Sequence, residues 1–247
     1  MGLEKTLQVS SARFLRKAKY GLDKFVLIGK QKIHYVEAGQ GDPIVLIPGS
    51  ASTYRAWGRL MPLLAGDYRL LAFDFPLDPS SSTGQAGDLK AVQEWSEILI
   101  TIIEQLKLGR VKLIGWGFGG AVAFDMAARF AGTVEKIVTV SWYITGAEDV
   151  QTSPRLNWKK WGLKRGSRAG LMEEAKDIKQ PLLYLYGAGA ASQSSMSNNL
   201  LFLQTNIPQT WIIGLEGGIF ELLLKDPQEI ARLIIKFLRT KLEPQRN

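Results

Sequence analysis

Apolar positions recur along this chain in short runs suited to strands and in longer stretches at helical spacing. Lys24 to Glu37, KFVLIGKQKIHYVE, predicts two strands joined by Gly29-Lys30, with apolar and polar residues alternating in the second. Pro43 to Gly49 is a continuous apolar run, as a buried parallel strand requires. A loop from Gly49 to Trp57 leads to a helix expected over Trp57 to Leu64. Arg69 to Pro76 predicts another strand, and Ser80 to Gly84 a surface loop. Asp88 is placed to cap a long helix to Leu108, in which Leu89, Val92, Trp95, Leu99, Ile102, Ile103 and Leu106 share one face and whose end Gly109 marks. Val111 to Asp125, VKLIGWGFGGAVAFD, then reads as a strand, a glycine-crowded turn and a helix of small and apolar residues. Lys136 to Val140, Pro181 to Gly187 and Thr210 to Leu215 are further strands. A last helix is signalled by Asp226 as N-cap, Pro227 at the first helical position and Glu229 placed to complete a capping box. Ile230, Leu233, Ile234, Phe237 and Leu238 form its apolar face.

Several of these signals stand in a familiar order. Gly115-Trp116-Gly117-Phe118-Gly119-Gly120, between a strand and a helix, resembles the nucleophile elbow of the α/β-hydrolase family, G-x-S-x-G. Pro48-Gly49 followed by Trp57 resembles that family's H-G and tryptophan spacing. Arg69 to Pro76 resembles its D-x-P-G-x-G-x-S strand ending, with Leu77-Asp78-Pro79 in place of the glycines. The resemblance runs from about Phe25 to Leu238. It implies an α/β-hydrolase fold: a mostly parallel eight-stranded sheet flanked by helices, in one domain over residues 24–247. A basic extension, 1–23, precedes it, and a small lid, 141–180, follows strand six. A histidine at the place of His34 is structural in that family. The resemblance also puts half of an oxyanion hole on the backbone N–H of Ser50 or Ala51 and half on that of Phe118.

Against that pattern the reacting groups are missing. A serine hydrolase needs a nucleophile, an imidazole to take its proton and usually a carboxylate to orient the imidazole. The resemblance puts these at Gly117, Ile219 and Ala190, which carry none of them. An acid after strand six could come from Glu148 or Asp149, but the imidazole has no substitute. The chain holds one histidine, His34 on the opening hairpin, and no cysteine, so neither a Ser-His nor a Cys-His arrangement can be assembled. Loss at three separated positions argues for divergence rather than a single inactivating substitution. No cluster of His, Cys or carboxylate ligands suggests a metal. The elbow glycines have the wrong spacing for a dinucleotide loop, and no ribose-binding acid follows. No cofactor is expected.

With 247 residues, 46% of them hydrophobic, the chain fits one globular domain. It shows no long apolar span and no secretory signal pattern, so it is expected to be cytoplasmic, with peripheral membrane contact as a variant of that expectation. Its net charge of +8 suggests an acidic partner, and the charge is clustered. Arg13, Arg16, Lys17 and Lys19 lie near the N-terminus. Between Thr152 and Gly170, Arg155, Lys159, Lys160, Lys164, Arg165 and Arg168 are interleaved with Trp158 and Trp161, with no acidic residue among them.

The leading expectation is a catalytically inactive protein of hydrolase shape that works by binding. Its candidate pocket residues are Ser50, Ala51, Trp116, Phe118, Trp142 and Tyr143, which would favour an apolar small molecule. The basic, tryptophan-bearing lid would favour an acidic protein or an anionic membrane surface. The alternative is a lyase, isomerase or cyclase using the same pocket without a triad, with Glu216, Asp74, Tyr54 and Tyr143 as possible proton carriers. Nucleic acid is the weakest reading, since no recognised module is present.

Overall fold

A computed structural model describes residues 17–18, 20–49, 52–74, 89–140, 175–187, 194–217, 223 and 226–241. The strands are β1 (Lys17–Ala18), β2 (Gly21–Ile28), β3 (Gln31–Ala38), β4 (Asp42–Ile47), β5 (Tyr68–Phe73), β6 (Val111–Trp116), β7 (Val134–Val140), β8 (Leu182–Gly187) and β9 (Thr210–Leu215). They form one sheet in the order β1-β2-β3-β5-β4-β6-β7-β8-β9. The pairings from β5 through β4 to β9 are parallel, and β1, β2 and β3 add antiparallel strands at one edge. The expected eight strands are all present, and the two-residue β1 is additional.

The central strands read as largely apolar runs because both of their faces are covered. Val45, Ile47, Leu71 and Leu113 face a core shared with helices α2 (Leu89–Gln105) and α3 (Phe118–Arg129). Ile44, Leu46, Leu70, Ile114 and Val138 face the other way. There they meet Trp57, helix α1 (Met61–Leu64) and the last helix, α5 (Pro227–Arg239). Each wholly buried Leu or Ile contributes roughly 1.5–3 kcal/mol relative to exposure.

Local chemistry sets the ends of these elements. Gly29 has φ 58° while Lys30 does not take positive φ, so the β2–β3 hairpin turns through a two-residue loop with glycine first, the type II′ arrangement. Helix α2 ends before Gly109. Its left-handed residue is Lys107 (φ 51°), whose N–H donates to Glu104 O, while Leu108 N–H donates to Ile103 O. This is a Schellman stop with lysine where glycine is usual, and Leu108 and Ile103 both sit in the core beside it. At α5, Asp226 accepts from Glu229 N–H at 3.1 Å, but the Glu229 carboxylate turns to Arg232 (2.6 and 2.7 Å). At the far end of α5, Lys136 from β7 donates to the carbonyls of Phe237, Leu238 and Thr240 at 3.0, 2.8 and 2.6 Å. A buried ammonium thus caps the helix C-terminus from the middle of the sheet.

Two readings need correction. The single helix expected over Trp57 to Leu64 is a 3-10 turn, Tyr54–Trp57, followed by the short α1. Between them Gly58 and Leu60 donate to Arg55 O and Trp57 O in turn-type bonds. Pro62 stands near the start of α1, where its missing N–H does no harm. An unpredicted helix α4 (Ser194–Asn206) lies between β8 and β9 and buries Met196, Asn199 and Leu203. Asp88, expected to cap α2, lies outside the described residues, as do residues 141–174 of the expected lid. From that span's end, Ala175 and Ile178 are buried in the core with α3.

Candidate functional site

The parallel strands β4, β5, β6, β7 and β8 deliver their C-terminal ends to one edge of the sheet, and the loops that follow them carry the candidate residues. β6 ends at Trp116, and the chain turns at Gly117 (φ 54°, ψ −117°) directly into α3. Gly117 N–H donates to Val140 O at 3.0 Å, and Gly117 O accepts from Gly120 and Ala121. The turn is therefore held by the end of the neighbouring strand on one side and by the first turn of its own helix on the other.

Its glycines do different jobs. A Cβ on Gly115 would stand 2.1 Å from Gly119 O, and one on Gly119 would stand 2.2 Å from Ile47 O, so strand, helix and β4 approach at distances that exclude any side chain. A Cβ on Gly117 would meet only Gly49 Cα, at 4.0 Å. Among the described residues space is open there, and only the positive φ favours glycine. The loop after β4 lies close over the turn, since a Cβ on Gly49 would be 3.3 Å from Trp116 O. Ser52 N–H donates to Gly49 O and closes that loop. Of the candidate pocket residues, Trp116 and Phe118 are half-buried and pack against different cores, Trp116 on the α5 side and Phe118 on the α2 side. Ser50, Ala51, Trp142, Tyr143, Ala190 and Ile219 lie outside the described residues, and so do Arg155, Trp158, Lys159, Lys160, Trp161, Lys164, Arg165 and Arg168.

The chain's single imidazole is fully engaged. His34 Nδ1 lies 2.7 Å from Asp74 Oδ2, and its Nε2 lies 2.9 Å from Asp23 Oδ1. Two ring nitrogens that both face carboxylate oxygens need two N–H groups, which describes the imidazolium. The hydrogen bond to Asp74 is the largest cause that raises its pKa above the ordinary value of 6.5; burial opposes the charge, and Asp23 adds to the rise. Asp74 Oδ1 also accepts the Tyr54 N–H at 2.6 Å. One carboxylate therefore joins the hairpin, the end of β5 and the start of the 3-10 turn. The sequence reading left His34 a structural role and missed this clamp. The hairpin register already placed His34 opposite Phe25, one diagonal step from Asp23, but Asp74 comes from 40 residues away. Of the possible proton carriers, Asp74 is tied into the clamp, Tyr54 contributes its backbone N–H to it, Glu216 is exposed, and Tyr143 is outside the described residues.

Among the described residues no group of three or more His, Cys, Asp or Glu side chains could hold a metal ion. No helix there is long and apolar enough to cross a membrane.

Comparison with known proteins places this geometry. The model of the Alpha/beta hydrolase family matches residues 44–211. The chain is 32% identical over 125 residues to the 2-hydroxy-6-oxo-2,4-heptadienoate hydrolase of Pseudomonas putida, covering 47% of this chain and 43% of that protein. It is 33% identical over 126 residues to a haloalkane dehalogenase of Sphingobium indicum, covering 48% and 41%. The chain thus spans about two fifths of the length of these curated relatives. Among solved structures, the meta-cleavage product hydrolase of Pseudomonas fluorescens superposes with a TM-score of 0.69 at 18% identity, covering 89% of this chain and 98% of the other. An E-2-(acetamidomethylene)succinate hydrolase does so with a TM-score of 0.69 at 14% identity, covering 88% and 99%. At those identities the superpositions speak for the fold.

Proposed function

This chain belongs to the alpha/beta hydrolase family, and on that premise we propose that it is a member without triad chemistry, one that binds where its relatives react. The observation that carries the reading is Gly117: the elbow turn is kept at a residue that offers no nucleophile. The sole histidine supports it, being held between two aspartates on a different strand. Removing triad members from an enzyme of this type costs several orders of magnitude in rate.

What such a site can still do is accept a ligand. The loop after β4 and the turn at Gly117 bring backbone together, with no charged side chain between them among the described residues, which suits an apolar molecule carrying a carbonyl group. An acidic protein or anionic surface on the basic segment from Arg155 to Arg168 is the partner this reading proposes, and the cytoplasm is its proposed location.

The test is turnover of ester, thioester and epoxide substrates against a heat-treated control. No turnover above that control is expected. Turnover that one substitution near Gly117 abolishes would overturn the reading. Binding of an uncleavable ketone analogue, followed by calorimetry, is expected in the same preparation that fails to hydrolyse.

A further inference from the structure

We propose that the tip of the β2–β3 hairpin is a docking surface for an anionic lipid bilayer. The proposal does not rest on the binding-only reading above, since it concerns a surface away from the Gly117 turn. Three of the four large apolar side chains exposed among the described residues lie on β2: Leu22, Phe25 and Leu27. Phe25 is 48% and Leu27 52% exposed, whereas Val26 between them is 4% exposed and sits in the core that α2 shares.

The register explains the exposure. Phe25 pairs with His34 and Leu27 with Lys32, so all four share one face of the sheet. The 3-10 turn Tyr54–Trp57 covers that face as far as His34, whose ring meets Tyr54 edge-on at 5.6 Å. Phe25 and Leu27 lie past that cover, next to the turn. At Gly29, an added Cβ would meet nothing within 4 Å, so the tip stands clear of the rest of the described chain.

Charge then selects the partner. Lys30 and Lys32 are exposed beside these side chains, and the Lys32 ammonium lies 3.9 Å from the Phe25 ring centroid. Arg55 is exposed at the edge of the 3-10 turn, over Tyr54. The acidic side chains near this face among the described residues, Asp23 and Asp74, are both taken up by His34. What faces outward is therefore an apolar pair with a cationic collar, on a chain of net charge +8. A protein partner would have to supply a cavity shaped to a narrow convex tip. A bilayer closes around inserted side chains and lets lysine stems reach back to the headgroups, and anionic lipid supplies the opposite charge.

The test is cosedimentation of the full chain with vesicles of phosphatidylcholine, either alone or with about one third phosphatidylserine. The variants are Lys30→Gln with Lys32→Gln, Phe25→Ser with Leu27→Ser, and a control in which the six cations from Arg155 to Arg168 become glutamine. Wild type is expected to bind the anionic vesicles and to leave the neutral ones in the supernatant. Loss of two cations is expected to weaken binding about twenty- to thirty-fold, at roughly 1 kcal/mol each. Loss of the apolar pair is expected to weaken it about tenfold or more, at salt concentrations that screen charge as well as at low salt. The lysine variant touches no core residue, so it carries the test even if the Phe25 variant unfolds on a thermal melt. Failure of wild type to bind, binding untouched by both hairpin variants, or binding lost only in the six-cation control would each overturn the proposal. So would hairpin-dependent binding to polyglutamate without binding to vesicles, which would make the partner an acidic protein.

Discussion

At Gly117 the need for glycine can be separated from the need for empty space. The backbone there has φ 54°, yet among the described residues a Cβ would find only ordinary contact. Gly117→Ser is therefore expected to fold and to lose about 1–2 kcal/mol, the cost of placing a side chain in a left-handed conformation, as measured by urea denaturation. It is expected to gain no hydrolase activity, because a serine without an imidazole stays a weak nucleophile. Family-like rates in that variant would mean that another general base exists. Gly115→Ala and Gly119→Ala face backbone oxygens at 2.1 and 2.2 Å and should lose about 3 kcal/mol or more, since backbone cannot step aside as a side chain can. His34 offers a second measurement at this scale, and as the chain's one histidine it gives an unambiguous NMR titration. Its pKa is expected above 6.5. A histidine whose folded pKa is raised stabilises the fold fully below its unfolded pKa, and that contribution fades as pH rises through the folded value. The stability difference between wild type and His34→Gln should accordingly be largest in mild acid and shrink as pH climbs past the measured pKa. A pH-independent difference would show that the two aspartates do not hold the ring as an imidazolium.

Among the elements, the strands were the most legible, because a strand buried on both faces must be largely apolar, as Pro43 to Gly49 is throughout and Lys136 to Val140 is apart from Lys136 and Thr139. Helix α5 could be read from its cap for a similar reason: Asp226 and Pro227 satisfy local geometry before any tertiary contact forms. Helix α4 was not legible. Its polar residues include a buried one, Asn199, and its apolar ones include an exposed one, Leu201, so periodicity gives no clean stripe. The short pieces at Tyr54–Trp57 and Met61–Leu64 were merged in the reading because tertiary packing of Trp57, Met61 and Leu64 decides where such a chain bends. In the site, the elbow was legible because close approach demands Gly115 and Gly119. The clamp of His34 was not, because hydrogen bonds between distant strands leave no local pattern. The end of α2 invites a test of local geometry. Lys107→Gly is expected to stabilise the protein by about 1 kcal/mol, since lysine is strained at φ 51° and glycine is not. A thermal melt that shows no gain would mean that Lys107 makes contacts that offset its backbone strain.

Across the whole molecule, the sheet divides the apolar interior into two cores, and Lys136 fastens the second of them to the last helix. Burial lowers the pKa of this ammonium below the usual lysine value, yet three carbonyl oxygens surround it. Lys136→Met keeps the length and apolar stem but leaves those carbonyls without their donor. The expected loss is about 2–3 kcal/mol in chemical denaturation. A loss below about 0.5 kcal/mol would mean that water or the relaxed helix end replaces the lysine completely.

During synthesis the same three bonds impose an order of events. Lys136 emerges about a hundred residues before the carbonyls it will meet, at 237, 238 and 240. Until those residues have left the ribosome, closing the sheet over Lys136 would bury a charge with no acceptor, so the nascent chain has reason to keep that part of its core open. Closure of this core is thereby coupled to synthesis of α5, and a chain released short of that helix would carry the ammonium as a mark of its own incompleteness.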